Sequence, residues 1–476
     1  MSTAVGHDPA SSITVYEDPF SIELSPMLAN IEESSTLKLN AKKLEMEAKG
    51  IEVFGFTAGE LSFPMEEHVV EAMIAALKLS THPDPKKRKL LQYTPVGGTP
   101  QCKKAIQAKF KNENGLDYET SEIIATAGAK EALAEAVRAL AQNEKVLIPS
   151  PAWVSYHAMV KLAGGEPVTV ETNPETFKLT PELLKAALEK EPETKCLILN
   201  SPCNPSGAVY SRPELEALAK VLKEYPKVVV ISDDIYEHIR YDKTKPYATM
   251  AQIPGMKDRT VTINGASKVF AMTGQRIGYA AAPAKVIKGM EKIQGHSSGN
   301  PNVLAQVGLV AALDPAKQEF VNDWMDDLKA NRDMMVKKLK DMGFKCNAPD
   351  GAFYAFPDCS PFFGKKDPET NKPLSSASAV ADYLLKNRVL VVPGDDFGDK
   401  NRIRLSFAAG YDYLDKGLDC MAKALAKLSG PTLEQKSDAK AEFKGTSTEV
   451  GTALPLPKDV NKHGMHGVAG PKNDFN

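Results

Sequence analysis

The sequence predicts an α/β protein, with a large domain around a mostly parallel sheet and a smaller α+β domain beside it. Three observations predict this. Short β-rich runs alternate with helical patterns through the middle of the chain, the signature of βαβ units. After about residue 310 the texture changes to long amphipathic helices and isolated short strands. The chain has 476 residues, too many for one ordinary core and about right for two domains.

The first twenty residues are polar and read as a loose arm. LSPMLANIEESSTLKLNAKKLEMEAKG then carries a helical pattern that stops at Gly50. The clearest strands are KVLIPSP from Lys145, KCLILN from Lys195, KVVVISDD from Lys227 and RTVTING from Arg259. Between them, PELLKAALEKE and RPELEALAKVLKEY each open with proline in the first turn, where its missing N–H costs nothing. Beyond residue 310 come the helical KQEFVNDWMDDLKANRDMMVKKLKDMG and the short strands FYAFPD, VLVVPG and RIRLSFA. FGKKDPETNKPLSSAS reads as a surface loop, and KKRK, Lys86 to Lys89, as a solvated one. From about Gly430 the chain is polar, almost without aromatics, and reads as a flexible tail.

Composition narrows the function classes. Hydrophobic residues make up 42% and charged residues 25%, and the formal net charge is −2. No global basic field argues for nucleic acid, and no polybasic face argues for an anionic membrane. No apolar run approaches the roughly 20 residues that span a bilayer. The start lacks a basic segment followed by an apolar core, so no secretory signal is expected. The six cysteines are scattered, without a CxxC pair, which suits reduced thiols and a cytoplasmic protein.

In open parallel sheets, ligands bind at the carboxyl ends of the strands. Here the unusual turns sit at those ends. KVLIPSP runs into Trp153, KCLILN into SPCNPSG with Asn204, KVVVISDD into Asp233 and Tyr236, and RTVTING into Lys268. A lone lysine on a rim is a nucleophile, a phosphate ligand or a solvated surface group. Asp233 alone would be a cap or turn residue, and Trp153 alone would be core. Together they supply an amine, a carboxylate, a phenol, an amide and a flat aromatic face. The rim has no His or Cys cluster for a metal. It has no G-x-S-x-G, no G-x-G-x-x-G after a first strand and no P-loop. The set fits a pyridine-ring cofactor bearing an aldehyde, held by lysine as a Schiff base with a carboxylate on the ring nitrogen. IIATAGAKEALAEAVRAL is a strand, a glycine turn and a helix. Its N–H groups at Gly128, Ala129 and Lys130 make an anion site for the cofactor phosphate, and Arg276 can add a charge-assisted bond.

These stretches resemble a known family. SKVFAMTGQRIGY is similar to the pyridoxal-phosphate lysine motif of class I aminotransferases, S-K-x-F-x-x-x-G-x-R-x-G. NSPCNPSGAVY resembles their N-P-x-N-P-T-G turn, with Ser206 for threonine, and SDDIYEHIRYD resembles their D-x-x-Y segment. PAWVSYHAMVKLAGG and TAGAKEAL are also close to the family. The resemblance runs in the expected order over about residues 21–430. SSTLKLNAKKLEMEAKG points to bacterial subgroup Iβ, which holds aspartate aminotransferases, some of which accept prephenate.

The resemblance implies a fold-type I enzyme with a seven-stranded sheet and pyridoxal 5′-phosphate as cofactor. It implies an amino acid and a 2-oxo acid as substrates. The expected division is an arm at 1–20, a small domain from 21–60 and 311–430, a large domain at 61–310 and a tail at 431–476. Lys268 matches the Schiff-base lysine that also shuttles the substrate Cα proton, and Asp233 the ring-nitrogen partner. Tyr236 and Asn204 match the ring-oxygen contacts, and Trp153 the stacking indole. Arg404, in RIRLSFA, matches the arginine that forks onto the substrate α-carboxylate, and Gly59 the glycine whose backbone meets it. Tyr93 matches the tyrosine that reaches the phosphate of the other subunit in a homodimer. Arg138 is either a solvated helix face or the basic residue that meets the substrate's side-chain carboxylate.

Two departures bear on specificity. The family's G-E-P-D-F reads Gly59-Glu60-Leu61-Ser62-Phe63, and STHPDPKKRKLLQY before Tyr93 is longer than usual. Two rivals remain: a lyase or decarboxylase on the same scaffold, and a non-catalytic effector-binding relative. The HGMHG stretch, His463 to Gly467, reads as part of the tail rather than as a metal site.

Overall fold

A computed structural model describes residues 24–31 and 35–432. The expected arm at 1–20 and the expected tail from residue 433 on, including HGMHG, lie outside the described residues.

The large sheet has seven strands: β2 (Ile123–Thr126), β3 (Lys145–Ser150), β4 (Glu166–Glu171), β5 (Thr194–Asn200), β6 (Val229–Asp233), β7 (Thr260–Gly265) and β8 (Gly278–Ala281). They follow a short β1 (Phe54–Gly55). Their spatial order is β2-β8-β7-β6-β5-β3-β4. Only β8 runs antiparallel to its neighbours. The inner strands read as near-continuous apolar runs because both faces are covered, whereas the edge strand β4 is mostly exposed or half-buried. Alternate residues enter different cores. Cys196, Ile198 and Ile231 face the helices Ala129–Ala141 and Ser155–Leu162. Leu197, Leu199 and Val230 face Pro181–Lys190 and Arg212–Glu224. Those last two helices begin as the sequence predicts. Thr180 caps the first, Ser211 and Glu214 form a capping box on the second, and each has proline in its first turn.

The smaller α+β unit holds β9 (Tyr354–Ala355), β10 (Val389–Leu390), β11 (Val392–Pro393) and β12 (Ile403–Ser406). β11-β12-β9 form an antiparallel sheet, and β10 pairs in parallel with β1. The helix Phe320–Asp341 packs on this unit through Trp324, Leu328 and Leu339. The expected boundary at 310/311 falls inside the helix Val303–Ala312. Ala305, Leu309 and Ala312 of that helix share a core with Ile106 and Phe110, so the whole helix packs with the large sheet.

Three local expectations change in detail. The helix before Gly50 spans Ser35–Ala48, and a separate 3-10 turn covers Pro26–Asn30. KKRK lies mostly on a one-turn helix, Pro85–Arg88, capped by Asp84 through the Lys86 N–H at 2.8 Å. The 363–378 loop is exposed at its tip, residues 368–373, and at Ser375, while Phe363, Asp367 and Leu374 are buried. Among the described residues no helix is long and apolar enough to cross a membrane.

Candidate active site

The parallel strands place Thr126, Ser150, Asn200, Asp233 and Gly265 on one rim. Antiparallel β8 begins on the same rim, since Gly278 pairs with both Thr126 and Gly265. A cavity of about 390 Å³ opens there. All the residues expected at the site line it except Gly128, Tyr93 and Arg138. Its floor is buried: Asp233, Tyr236, Asn204 and Arg404. Its mouth, with Lys130, Arg276 and Glu60, is exposed.

Lys268 follows β7 in the turn after Gly265. Its ammonium donates to the Gly59 carbonyl and lies 5.8 Å from the Tyr236 ring centre. Burial pushes its pKa down to about 8. The Arg404 charge adds to the shift, and Asp233 and Glu60 oppose it. Asp233 ends β6. Burial raises its carboxyl to about 6, against a 2.6 Å bond donated by the Tyr156 hydroxyl, the Ile235 N–H and the Lys268 charge.

Asn204 sits in the turn after β5, where the Asn200 side chain accepts its backbone N–H at 2.8 Å. Its side-chain oxygen accepts from Arg404 Nη1 at 3.0 Å. Arg404 Nη2 donates to the Thr57 carbonyl at 3.0 Å, and its buried Nε has no hydrogen-bond partner. Arg404 is only 3% exposed, and burial lowers its pKa. A buried guanidinium with an idle donor, opening on a cavity, is equipped to take an anion.

The second anion site lies at the start of the helix Ala129–Ala141. Gly128 caps it at φ 93, a conformation that suits glycine. A Cβ there would lie 2.5 Å from Arg276 Nη2, so the bare backbone lets the guanidinium close over the helix N-terminus. Arg276 is itself left-handed, at φ 52, and is held by the Thr273 and Ala127 carbonyls at 3.0 and 3.4 Å. Trp153 stands beside this end, with the Lys130 ammonium 4.9 Å from its ring centre.

Apart from Gly128, which caps the helix at the second anion site, two expected residues are not brought to this cavity. Arg138 is exposed in the last turn of the Ala129–Ala141 helix, nine residues beyond Ala129. At 1.5 Å per residue that is about 13 Å from the site end. Of its two expected readings, this position suits the solvated helix face. Tyr93 is 99% exposed and lines a separate groove with Leu91, Asn300 and Val303.

Sequence reasoning missed three side chains. Lys130 was expected only through its backbone N–H, yet the residue lines the cavity and its ammonium lies 4.9 Å from the ring centre of Trp153, another lining residue. Tyr156 lies one helical turn after Trp153, a spacing that could have flagged it. Tyr354, whose hydroxyl is 3.1 Å from that of Tyr236, arrives from the smaller unit with no motif to mark it.

Comparison with known proteins agrees with this geometry. Residues 51–428 match the family model for aminotransferase class I and II. The chain is 41% identical over 395 residues to the aspartate/prephenate aminotransferase of Cereibacter sphaeroides, covering 82% of this chain and 96% of that one. The crystal structure of the aspartate aminotransferase of Rhizobium meliloti superposes with a TM-score of 0.80 at 38% identity, over 86% of this chain and all of that one. The Thermus thermophilus aspartate aminotransferase with maleate gives 0.77 at 37% identity, over 85% and 100%. The chain thus belongs to the class I and II aminotransferases, fold-type I enzymes that move amino groups with pyridoxal 5′-phosphate.

Proposed function

We propose that the enzyme moves the amino group of a dicarboxylic amino acid, aspartate first, to 2-oxoglutarate. The observation that carries this is the placement of cations around one cavity. Arg276 is tied to the helix N-terminus, Arg404 is buried with a free Nε, and Lys130 has no acidic partner among the described residues. Three anions suit these three cations: the cofactor phosphate, the substrate α-carboxylate and a second substrate carboxylate. Two relatives support the choice. The Thermus enzyme was solved with maleate, a dicarboxylate, and the Cereibacter enzyme is named for aspartate and prephenate. Prephenate is the second reading. It too carries two carboxylates, and Leu61 and Ser62 alter the segment beside Gly59.

The residues present fit pyridoxal phosphate. The Gly128 cradle under Arg276 suits the phosphate, the orphaned Arg404 Nε suits a substrate carboxylate, and Asp233 suits a protonated ring nitrogen. When bound, the cofactor supplies an aldehyde carbon that takes up the amino group and a ring that spreads the charge left at Cα.

The chain's own residues do the rest. Asp233 holds the ring-nitrogen proton, and the Tyr156 hydroxyl keeps its carboxylate aimed and ionised. Tyr236 and Asn204 would donate to the ring oxygen of the bound cofactor, and Trp153 would cover the ring face. Arg404 and the Gly59 backbone fix the α-carboxylate, which orients Cα toward Lys268. With its pKa near 8, the Lys268 amine is neutral in a useful fraction near pH 7, so it would hold the cofactor covalently and, once the incoming substrate amine displaced it, would be free to carry the Cα proton.

A homodimer accompanies this reading, with Tyr93 reaching the partner's phosphate. A fully exposed tyrosine beside an open groove supports a surface that a second copy covers. The six cysteines are all free, which supports a reducing compartment, the cytoplasm.

The test is a half-reaction without oxo acid, using aspartate, glutamate, alanine and phenylalanine as donors. Aspartate should convert the cofactor to its amino form fastest and release one equivalent of oxaloacetate. A donor that is consumed while the cofactor remains the aldehyde would indicate a lyase. A preference for phenylalanine would overturn the dicarboxylate assignment.

A further inference from the structure

We propose that Tyr354 is a positioning residue for Tyr236, donating its hydroxyl proton to the Tyr236 oxygen so that the Tyr236 proton is left for the cofactor ring oxygen. The inference rests on the reading of Tyr236 given above and adds a residue to it.

Tyr354 is fully buried and lines the cavity. It lies on β9, opposite Ser406 of β12, the strand that carries Arg404. The Arg404 guanidinium stands 4.5 Å from its ring centre, and the Tyr236 ring meets it edge-on at 84°. The two hydroxyl oxygens are 3.1 Å apart. This is the only hydrogen bond of the Tyr354 hydroxyl among the described residues.

Proton counting then sets the direction. Each phenol has one proton to give and lone pairs to receive. If Tyr236 gave its proton to Tyr354, it would have none for a ring oxygen. The Tyr354 proton would then also lack an acceptor in a buried site, an unfavourable arrangement. With Tyr354 as donor, both protons are used and the chain of two hydroxyls ends at the ring oxygen. Hydrogen bonds in such a chain strengthen one another. Burial holds both phenol protons in place and the Arg404 charge eases both, so the proton count sets the polarity.

The experiment follows the visible absorbance of the cofactor-loaded enzyme against pH in Tyr354→Phe, Tyr236→Phe and the double variant. Phenylalanine at 354 keeps the ring against Arg404 and removes only the hydroxyl. A weaker donor at the ring oxygen leaves more negative charge there, which holds the neighbouring proton of the loaded site more tightly. Tyr354→Phe should therefore raise the absorbance midpoint by about half a pH unit, the size expected for one neutral hydrogen bond. Tyr236→Phe should raise it further. In the Tyr236→Phe background, the change at 354 should have no effect. A Tyr354→Phe midpoint equal to the parent's, with Tyr236→Phe shifted, would overturn the proposal alone. So would a shift that persists in full in the Tyr236→Phe background. An unshifted Tyr236→Phe would overturn the reading of Tyr236 and the proposal with it. Melting temperatures near the parent's in all three variants confirm that the fold is not the variable.

Discussion

Lys130→Met tests how the enzyme tells a dicarboxylate from any other amino acid. Every donor has an α-carboxylate, so Arg404 cannot discriminate among side chains. Discrimination needs a second cation, and the Lys130 ammonium is at the cavity with no carboxylate paired to it among the described residues. Partial desolvation and the nearby Arg276 charge lower its pKa, so an incoming carboxylate would relieve an uncompensated charge. A charge-assisted bond contributes about 1.5–3 kcal/mol when well shielded. The Lys130 side chain is exposed at the cavity mouth, and solvent screening brings the figure down to about 1–2 kcal/mol. That is about 5- to 30-fold in kcat/KM. Methionine keeps a flexible stem beside Trp153 and deletes the charge. In single-turnover half-reactions, aspartate should lose that factor while alanine and phenylalanine change little. Arg138→Ala, on the exposed end of the same helix, should leave all donors unchanged. Equal losses for acidic and apolar donors would mean that Lys130 serves the cofactor or the fold. Selective loss at Arg138 instead would refute the geometric reasoning outright.

Three further outcomes follow from the same site and core. Lys268→Ala should show no cofactor fixed to the chain by mass spectrometry after borohydride treatment, and kcat should fall by at least about 10²–10⁴-fold; normal turnover would end its assignment. Asp233, raised to about 6 by burial, is a carboxylate above that value and loses its charge as pH falls through it. The kcat/KM profile should therefore fall on the acid side near or below pH 6, lower still if a cationic ring nitrogen pairs with it, and Asp233→Asn should bind cofactor, turn over far more slowly and lose that limb. Glu135 is 1% exposed, neither carboxylate oxygen has a hydrogen-bond partner, and burial lifts its pKa to about 8. The folded chain then holds a proton that the unfolded chain releases near pH 4.3, so stability falls as pH rises from there to about 8, by an order of 2–4 kcal/mol at pH 7; Glu135→Gln should flatten the melting temperature between pH 5 and 8, and an unchanged slope would place the proton elsewhere.

What could be read from the sequence, and what could not, divides along one physical line. The inner parallel strands were legible because a sheet covered on both faces demands unbroken apolar runs, and KCLILN and KVVVIS satisfy that locally, while the exposed edge strand β4, EPVTVE, does not and was not picked out. The antiparallel β8 was not picked out, because GYAA is small and unbranched and gains its place only by fitting between β2 and β7. The same line runs through the site. Asn204, Asp233 and Lys268 each follow a strand end in the chain, so a rule about one rim gathers them without coordinates. Tyr354 meets Tyr236 across 118 residues of chain and from a different sheet, which no local pattern encodes. Arg138 and Lys130 show the limit most sharply. Both are basic and lie eight residues apart on one helix, and periodicity gives no preference between them. Axial rise decides: the anion-binding end is the N-terminus, and eight residues carry Arg138 about 12 Å away from it. A cation can serve the cavity only in the first turn of that helix, and in this chain the residue there is Lys130.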